Sequence, residues 1–270
     1  MNSKPSSPKK IKQLLATLPA KAQRGSKPRC HLLTHGTRVQ VAARLTALMG
    51  AWGSVAPTDS WLPEGFEDHN EAELPLAPEL LTPVVRVGLA RWWLPNDHLA
   101  DRTPNWDIAS SCTIDGRRGL LLVEAKAHEN ELVNTISGRK LDTRNQGDQA
   151  TRDASHHQIG VAIEQARAGL QAASSLPWEI RIDSHYQLAS RFAWAWKVAQ
   201  LGVPVVMVYL GFLGADEMKD RGAPLASAAE WDAMVRAHAK GLVPGEVWGS
   251  QVDVGGAPLV PLIVSVAQEL

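Results

Sequence analysis

Cysteine is nearly absent: Cys30 and Cys112 are the two in 270 residues, too few for a disulfide framework. Long apolar runs are missing as well. The stretches 205–210 and 259–266 fall far short of the roughly 20 residues that a membrane-spanning helix needs. The amino terminus carries lysines but no apolar segment leading to a small-residue cleavage site, so no secretory signal is expected. These absences predict a soluble protein of a reducing cytoplasm. Also missing are a G-x-S-x-G elbow, a Walker loop and a G-x-G-x-x-G turn, so serine-hydrolase, P-loop and dinucleotide readings lack their residues.

Apolar residues make up 44% of the chain, which suffices for a packed core. Net charge is zero but unevenly spread, because residues 1–29 hold eight Lys or Arg and no acid. That segment reads as a basic, flexible N-terminal arm, able to lie along phosphates, ahead of a single domain over 30–270. Apolar spacing predicts a helix from Thr37 to about Trp52. An irregular, Pro- and acid-rich excursion follows over 54–80, and then a helix from about Glu79 to Leu94 with Pro83 in its first turn. Two short apolar runs, Trp106 to Ile114 and Gly119 to Ala127, flank Asp115-Gly116-Arg117-Arg118 and read as a hairpin.

The polar stretch from Glu129 to Asp153 reads as a long loop. Ser155 and Ser184 are expected to cap helices running to about Ala173 and Leu201. Val205 to Phe212 has strand composition, Ala226 to Lys240 is helical in pattern, and the Val- and Leu-rich carboxy terminus is a strand or a helix. This order implies an α/β fold in which a central mixed β-sheet is flanked by helices.

The hairpin carries the chemistry. With Asp115-Gly116 as a two-residue turn, Asp107 falls directly opposite Glu124, their Cβ atoms about 4.5–5.5 Å apart. With a four-residue turn it falls opposite Lys126 instead. Either way Asp107, Glu124 and Lys126 share one face, because side chains alternate along a strand. Two carboxylates facing each other in apolar surroundings need a compensating cation. A hard divalent ion such as Mg²⁺ or Mn²⁺ would meet that need, since it takes oxygen ligands from one or two carboxylates and a substrate phosphate. A salt bridge of the acids with Lys126 or an arginine is the competing account.

Pro104-Asn105-Trp106-Asp107, followed by Leu120-Leu121-Leu122-Val123-Glu124-Ala125-Lys126, resembles the motif of the PD-(D/E)xK, or restriction-endonuclease-like, nuclease superfamily. Asn105 and Trp106 separate the proline from the acid, so the literal P-D pair is absent. The longer run from Trp106 to Leu213 also resembles uncharacterised bacterial proteins with W-D, V-E-A-K-A-H and Y-Q-L-x-x-R blocks. The superfamily resemblance implies a restriction-endonuclease-like core and a metal-dependent nuclease, acting on DNA in preference to RNA. It further implies Asp107, Glu124 and the Ala125 carbonyl as ligands of Mg²⁺ or Mn²⁺, and Lys126 as the catalytic lysine. Glu79, with Glu73 second, is the candidate for the acid that many members carry on the preceding helix. Gln187 is the candidate polar residue of the following helix, with Arg191 on the same helix face. Arg139, Lys140, Arg144 and Arg152 are candidates for phosphate contact in the loop, together with Arg191. Many nucleases of this fold pair subunits, so a homodimer is a further expectation. The alternative is a non-catalytic nucleic-acid-binding or scaffold protein that keeps the fold.

Other signals point to structure. Cys30, His31 and His35 lack the second ligand pair of a zinc site. His128 reads as a surface histidine, and His156 and His157 as helix-start residues. Trp92, Trp93, Trp194 and Trp196 stand at helical spacing that suits core packing better than base stacking.

Overall fold

The computed structural model describes residues 8–94, 103–133, 135–139 and 149–270. Helices α1 (Pro8–Leu15), α2 (Ser26–Thr34) and α3 (Arg38–Met49) come first. Next are β1 (Trp61–Leu62), β2 (Ala72–Glu73), α4 (Pro83–Trp93), β3 (Asn105–Trp106), β4 (Ile108–Ile114), β5 (Arg117–Lys126) and α5 (Glu129–Val133). The remainder comprises α6 (Gln149–Ser174), α7 (Tyr186–Gln200), β6 (Val205–Leu213), α8 (Ala228–Ala239), β7 (Val252–Val254) and β8 (Ala257–Ala267). Six strands form a mixed sheet in the order β1-β4-β5-β6-β8-β7, in which β6 runs parallel to both β5 and β8. The fold is therefore α/β, with helices on both faces of the sheet. No helix among the described residues is long and apolar enough to cross a membrane.

The hairpin has the two-residue turn. Asp115 and Gly116 both take positive φ, 48° and 73°, as a type I′ turn requires, and Ile108 pairs with Val123. Central strands buried on both faces are continuously apolar. Thus Leu120, Leu122, Val205 and Met207 pack under α4, α6, α7 and α8, while Leu121, Val123, Val206 and Val208 pack under α2 and α3. Trp92, Trp93, Trp194 and Trp196 belong to the first of these cores, as helical spacing suggests. Trp93 lies 5.5 Å from both Trp92 and Trp194, ring centre to ring centre.

Several boundaries differ from expectation for identifiable reasons. Helix α4 starts at Pro83 and not near Glu79, because the residue before a proline avoids helical angles and Thr82 is extended (ψ 154°). The excursion 54–80 contributes β1 and β2, strands of two residues each, too short to leave a periodic pattern. Part of the expected loop 129–153 is helical: α5 occupies its start, and α6 begins at Gln149, so Ser155 lies inside a helix and caps nothing. Helix α7 is preceded by a left-handed His185, and Ser184 does not cap it. The carboxy terminus is the β7–β8 hairpin, closed over Gly255 and Gly256.

Three basic residues of the segment 8–29 are paired within the protein. Arg29 is buried and holds Glu217 through both guanidinium NH groups, at 2.5 and 3.0 Å, while its Nε donates to the Gln268 carbonyl. Arg24 pairs with Asp220, and Lys27 with Glu71 at 2.8 Å. Their charge is committed to the protein's own acids.

Gly211, the β6 neighbour of Lys126, lies against a tryptophan: a Cβ there would meet the Trp231 ring at 2.6 Å. Trp231 cannot retreat freely, because its Nε1 donates to the Tyr209 carbonyl at 3.1 Å. Gly211→Ala should therefore destabilise the fold by about 1–3 kcal/mol. Urea unfolding checks this as a lowered midpoint with an unchanged slope.

Candidate active site

Strand β5 carries Glu124 and Lys126 on the face that also bears Leu120 and Leu122, so both functional side chains project toward α7. Asp107 arrives from the other arm of the hairpin. It occupies the break between β3 and β4, where the chain leaves its partnership with β5 and Trp106 pairs with Ala72 of β2. Trp106 is completely buried and anchors this departure.

The three residues are bonded differently. Asp107 Oδ2 accepts the Ala125 amide N–H at 2.7 Å. Glu124 is 1% exposed, and both of its oxygens are engaged by cations: Lys126 Nζ donates to Oε1 at 2.5 Å and Arg191 Nε to Oε2 at 2.5 Å. The Arg191 guanidinium also lies 5.0 Å from the centre of the Trp106 ring. The competing account thus holds for Glu124, which is ion-paired, whereas Asp107 is held by a main-chain amide.

Burial and the Glu124 charge push the Asp107 carboxyl up to about 7. Burial would raise Glu124 too, but Arg191 and Lys126 hold it below the ordinary carboxylate range. Burial opposes charge on Lys126, yet Glu124 and Asp107 keep its ammonium above its ordinary pKa. Lys126 is therefore a fixed cation here.

These groups lie in a pocket of about 800 Å³. Asp107, Glu124, Ala125, Lys126, Gln187, Arg139, Arg152 and Arg191 all line it, so most of the residues singled out from the sequence converge. Their roles differ in part from expectation. Arg191 donates its Nε to Glu124 while lining the pocket. Arg139 lies against His156 and Tyr186. Lys140 and Arg144 fall outside the described residues.

Glu79 is not in the pocket. It is exposed and belongs to a separate groove, with Glu73, because Pro83 delays the helix that would have carried it inward. Glu71 does line the pocket: the β2–β3 pairing brings it there, and Lys27 and Asn105 bond its two oxygens at 2.8 and 3.4 Å. Only a two-residue strand ladder positions it, so no periodicity in the sequence marks it. Glu131 also lines the pocket and accepts the Ala127 N–H at 2.6 Å. His128 is buried, not at the surface, with Nε2 3.6 Å from Glu131. His31 is a packed histidine, its Nδ1 2.7 Å from the Gly65 carbonyl oxygen.

Among the described residues no group of three or more His, Cys, Asp or Glu is placed to hold a metal ion. What the pocket offers a cation is the Asp107–Glu124 pair. Comparison of the chain with protein-family models, with curated proteins and with solved structures finds no match.

Two outcomes follow from the electrostatics. Arg191→Met leaves a buried carboxylate with one cation where it had two, and should cost about 3–5 kcal/mol in urea unfolding near neutral pH. Asp107 gives a pH signature. Unfolded, its carboxyl ionises near pH 4; folded, it does so at about 7. The native state thus keeps a proton that the unfolded chain has released, and stability falls as pH rises between those values. In EDTA, Asp107→Asn should gain on the wild type as pH rises from about 4 to about 7, with the difference constant above. A difference independent of pH would contradict the assignment.

Proposed function

We propose that the chain is a Mg²⁺- or Mn²⁺-dependent nuclease with a restriction-endonuclease-like core, hydrolysing phosphodiester bonds of nucleic acid, DNA in preference to RNA. One observation carries the reading: Asp107, Glu124 and Lys126, the residues that the PD-(D/E)xK resemblance singles out, line one pocket. A metal is implied rather than seen, so its fit rests on the donor chemistry. Mg²⁺ characteristically takes only one or two protein carboxylates and leaves its other positions to water and substrate phosphate. A pair of close carboxylates, one of them pushed up to about 7, suits such an ion and does not suit a closed all-protein cage.

In this reading Asp107 and Glu124 hold the ion, with the Ala125 carbonyl as a further ligand. An ion held there would supply neutralisation of phosphoryl charge and a more acidic water. The chain's own groups do the rest. The Ala125 amide orients Asp107, and Arg191 fixes Glu124. Lys126 has three N–H donors, of which Glu124 takes one, leaving the others for the substrate. Held as an ammonium by Glu124 and Asp107, it stabilises charge that develops on the phosphate.

A second reading has one observation in its favour. Both Glu124 oxygens are already satisfied by cations, as suits a non-catalytic nucleic-acid-binding or scaffold protein of the same fold.

The experiment is cleavage of labelled single- and double-stranded DNA and RNA in Mg²⁺, Mn²⁺ or EDTA. Lys126→Ala and Asp107→Asn should each slow cutting by about 100- to 1,000-fold. If the wild type cuts nothing and divalent ions do not raise its melting temperature, the non-catalytic reading stands in its place.

A further inference from the structure

The reacting groups are nearly out of reach. Glu124 is 1% and Lys126 6% exposed, so a phosphate must enter the pocket to touch them. A continuous duplex carries its phosphates on a broad convex surface, backed by the second strand. The pocket, at about 800 Å³, falls in the range of about 300–1,000 Å³ that encloses a small molecule and is far from a groove that cradles a helix.

Among the described residues its lining also holds Glu71, bonded by Lys27 and Asn105, and Glu131, which accepts the Ala127 amide. Lys126 and Arg191 are tied to Glu124, and Arg139 lies against Tyr186 and His156. A strand that enters therefore meets a guanidinium and an aromatic ring beside the buried Glu124–Lys126 pair.

That ring is held in place. Tyr186 opens α7 and packs partly against the core, and its amide donates to the Ser137 carbonyl at 3.2 Å. Arg139, whose own amide donates to the Ile182 carbonyl at 2.8 Å, sets its guanidinium 6.0 Å from the Tyr186 ring centre. Arg139 Nη1 lies 3.1 Å from His156 Nδ1. A fixed aromatic flanked by a guanidinium is the platform on which unpaired bases stack regardless of sequence.

Resting on the nuclease reading, we infer that the pocket accepts an unpaired strand, either a single-stranded segment or a frayed end, with one base against Tyr186 and its phosphate toward Lys126. It excludes the continuous duplex. Base pairs would have to open first, at a cost of a few kcal/mol. Tyr186 is thereby the residue that sets strandedness.

Binding tests this without requiring turnover. A short fluorescein-labelled strand, as DNA and as RNA, and the blunt duplex of the same sequence are titrated with the full chain in Ca²⁺, and anisotropy is read. The single strand of at least one sugar type should bind about tenfold or more tighter than the duplex. Tyr186→Leu should weaken single-strand binding about fivefold or more and leave the weak duplex binding as it is, while Tyr186→Phe keeps the preference. With few cations among the described residues of the pocket, the logarithmic salt slope should stay near about −1.4 to −2, as for two or three phosphates of a single strand. Duplex binding that equals or exceeds single-strand binding overturns the inference, as does equal weakening of both by Tyr186→Leu. Metal-dependent cutting that prefers duplex overturns it while leaving the nuclease reading intact. No binding to any nucleic acid overturns both.

Discussion

Ionised Glu124, buried beside the end of a central strand, imposes the main demand on this structure. Removing a carboxylate from water costs several kcal/mol, which is recovered only by close, well-oriented cations. Lys126 supplies one from the same strand face and Arg191 the other from α7, each at 2.5 Å. Trp106 lies against the Arg191 guanidinium and so links this trio to the strand break that presents Asp107. Helix α7, strand β5 and the β3–β4 junction are positioned about one charged side chain.

The two acids of the site consequently differ. Glu124 is compensated from within the protein and stays ionised, whereas Asp107 feels burial and the Glu124 charge. A structural ion-pair network would be expected to satisfy every member. Here Asp107, bonded by the Ala125 amide, is the acid for which a further cation would be favourable, and this asymmetry supports the proposed reading. The topology places it well, because β5 and β6 run parallel and the site lies at the carboxyl end of β5, where open α/β sheets present their crevices.

Rigidity around the pocket comes from short, unpatterned pieces. Two-residue pairing of β2 with β3 brings in Glu71, and the segment 135–139 is pinned to the start of α7 by main-chain hydrogen bonds. Such elements are stable only because buried neighbours such as Ala72, Leu74 and Trp106 hold them in place.

Much of the centre could be read from the sequence because it is local. A type I′ turn at Asp115-Gly116 sets the register of β4 and β5, and strand alternation then puts Glu124 and Lys126 on one face. Helical spacing likewise assigned Trp92, Trp93, Trp194 and Trp196 to the core. Pairings between distant segments were not legible. Arg191 meets Glu124 from 67 positions away, and Arg29 is drawn from an apparent basic arm to Glu217. Glu71 lines the pocket and Glu79 does not, because Pro83 delays one helix while an isolated strand pair folds the chain inward. The sequence by itself determined the periodicities, the turn and the shared strand face of Glu124 and Lys126, all governed by neighbours within a few residues. Tertiary structure decided which charges are spent on one another and which remain for a ligand, because that depends on burial, and burial is a property of the whole packed chain.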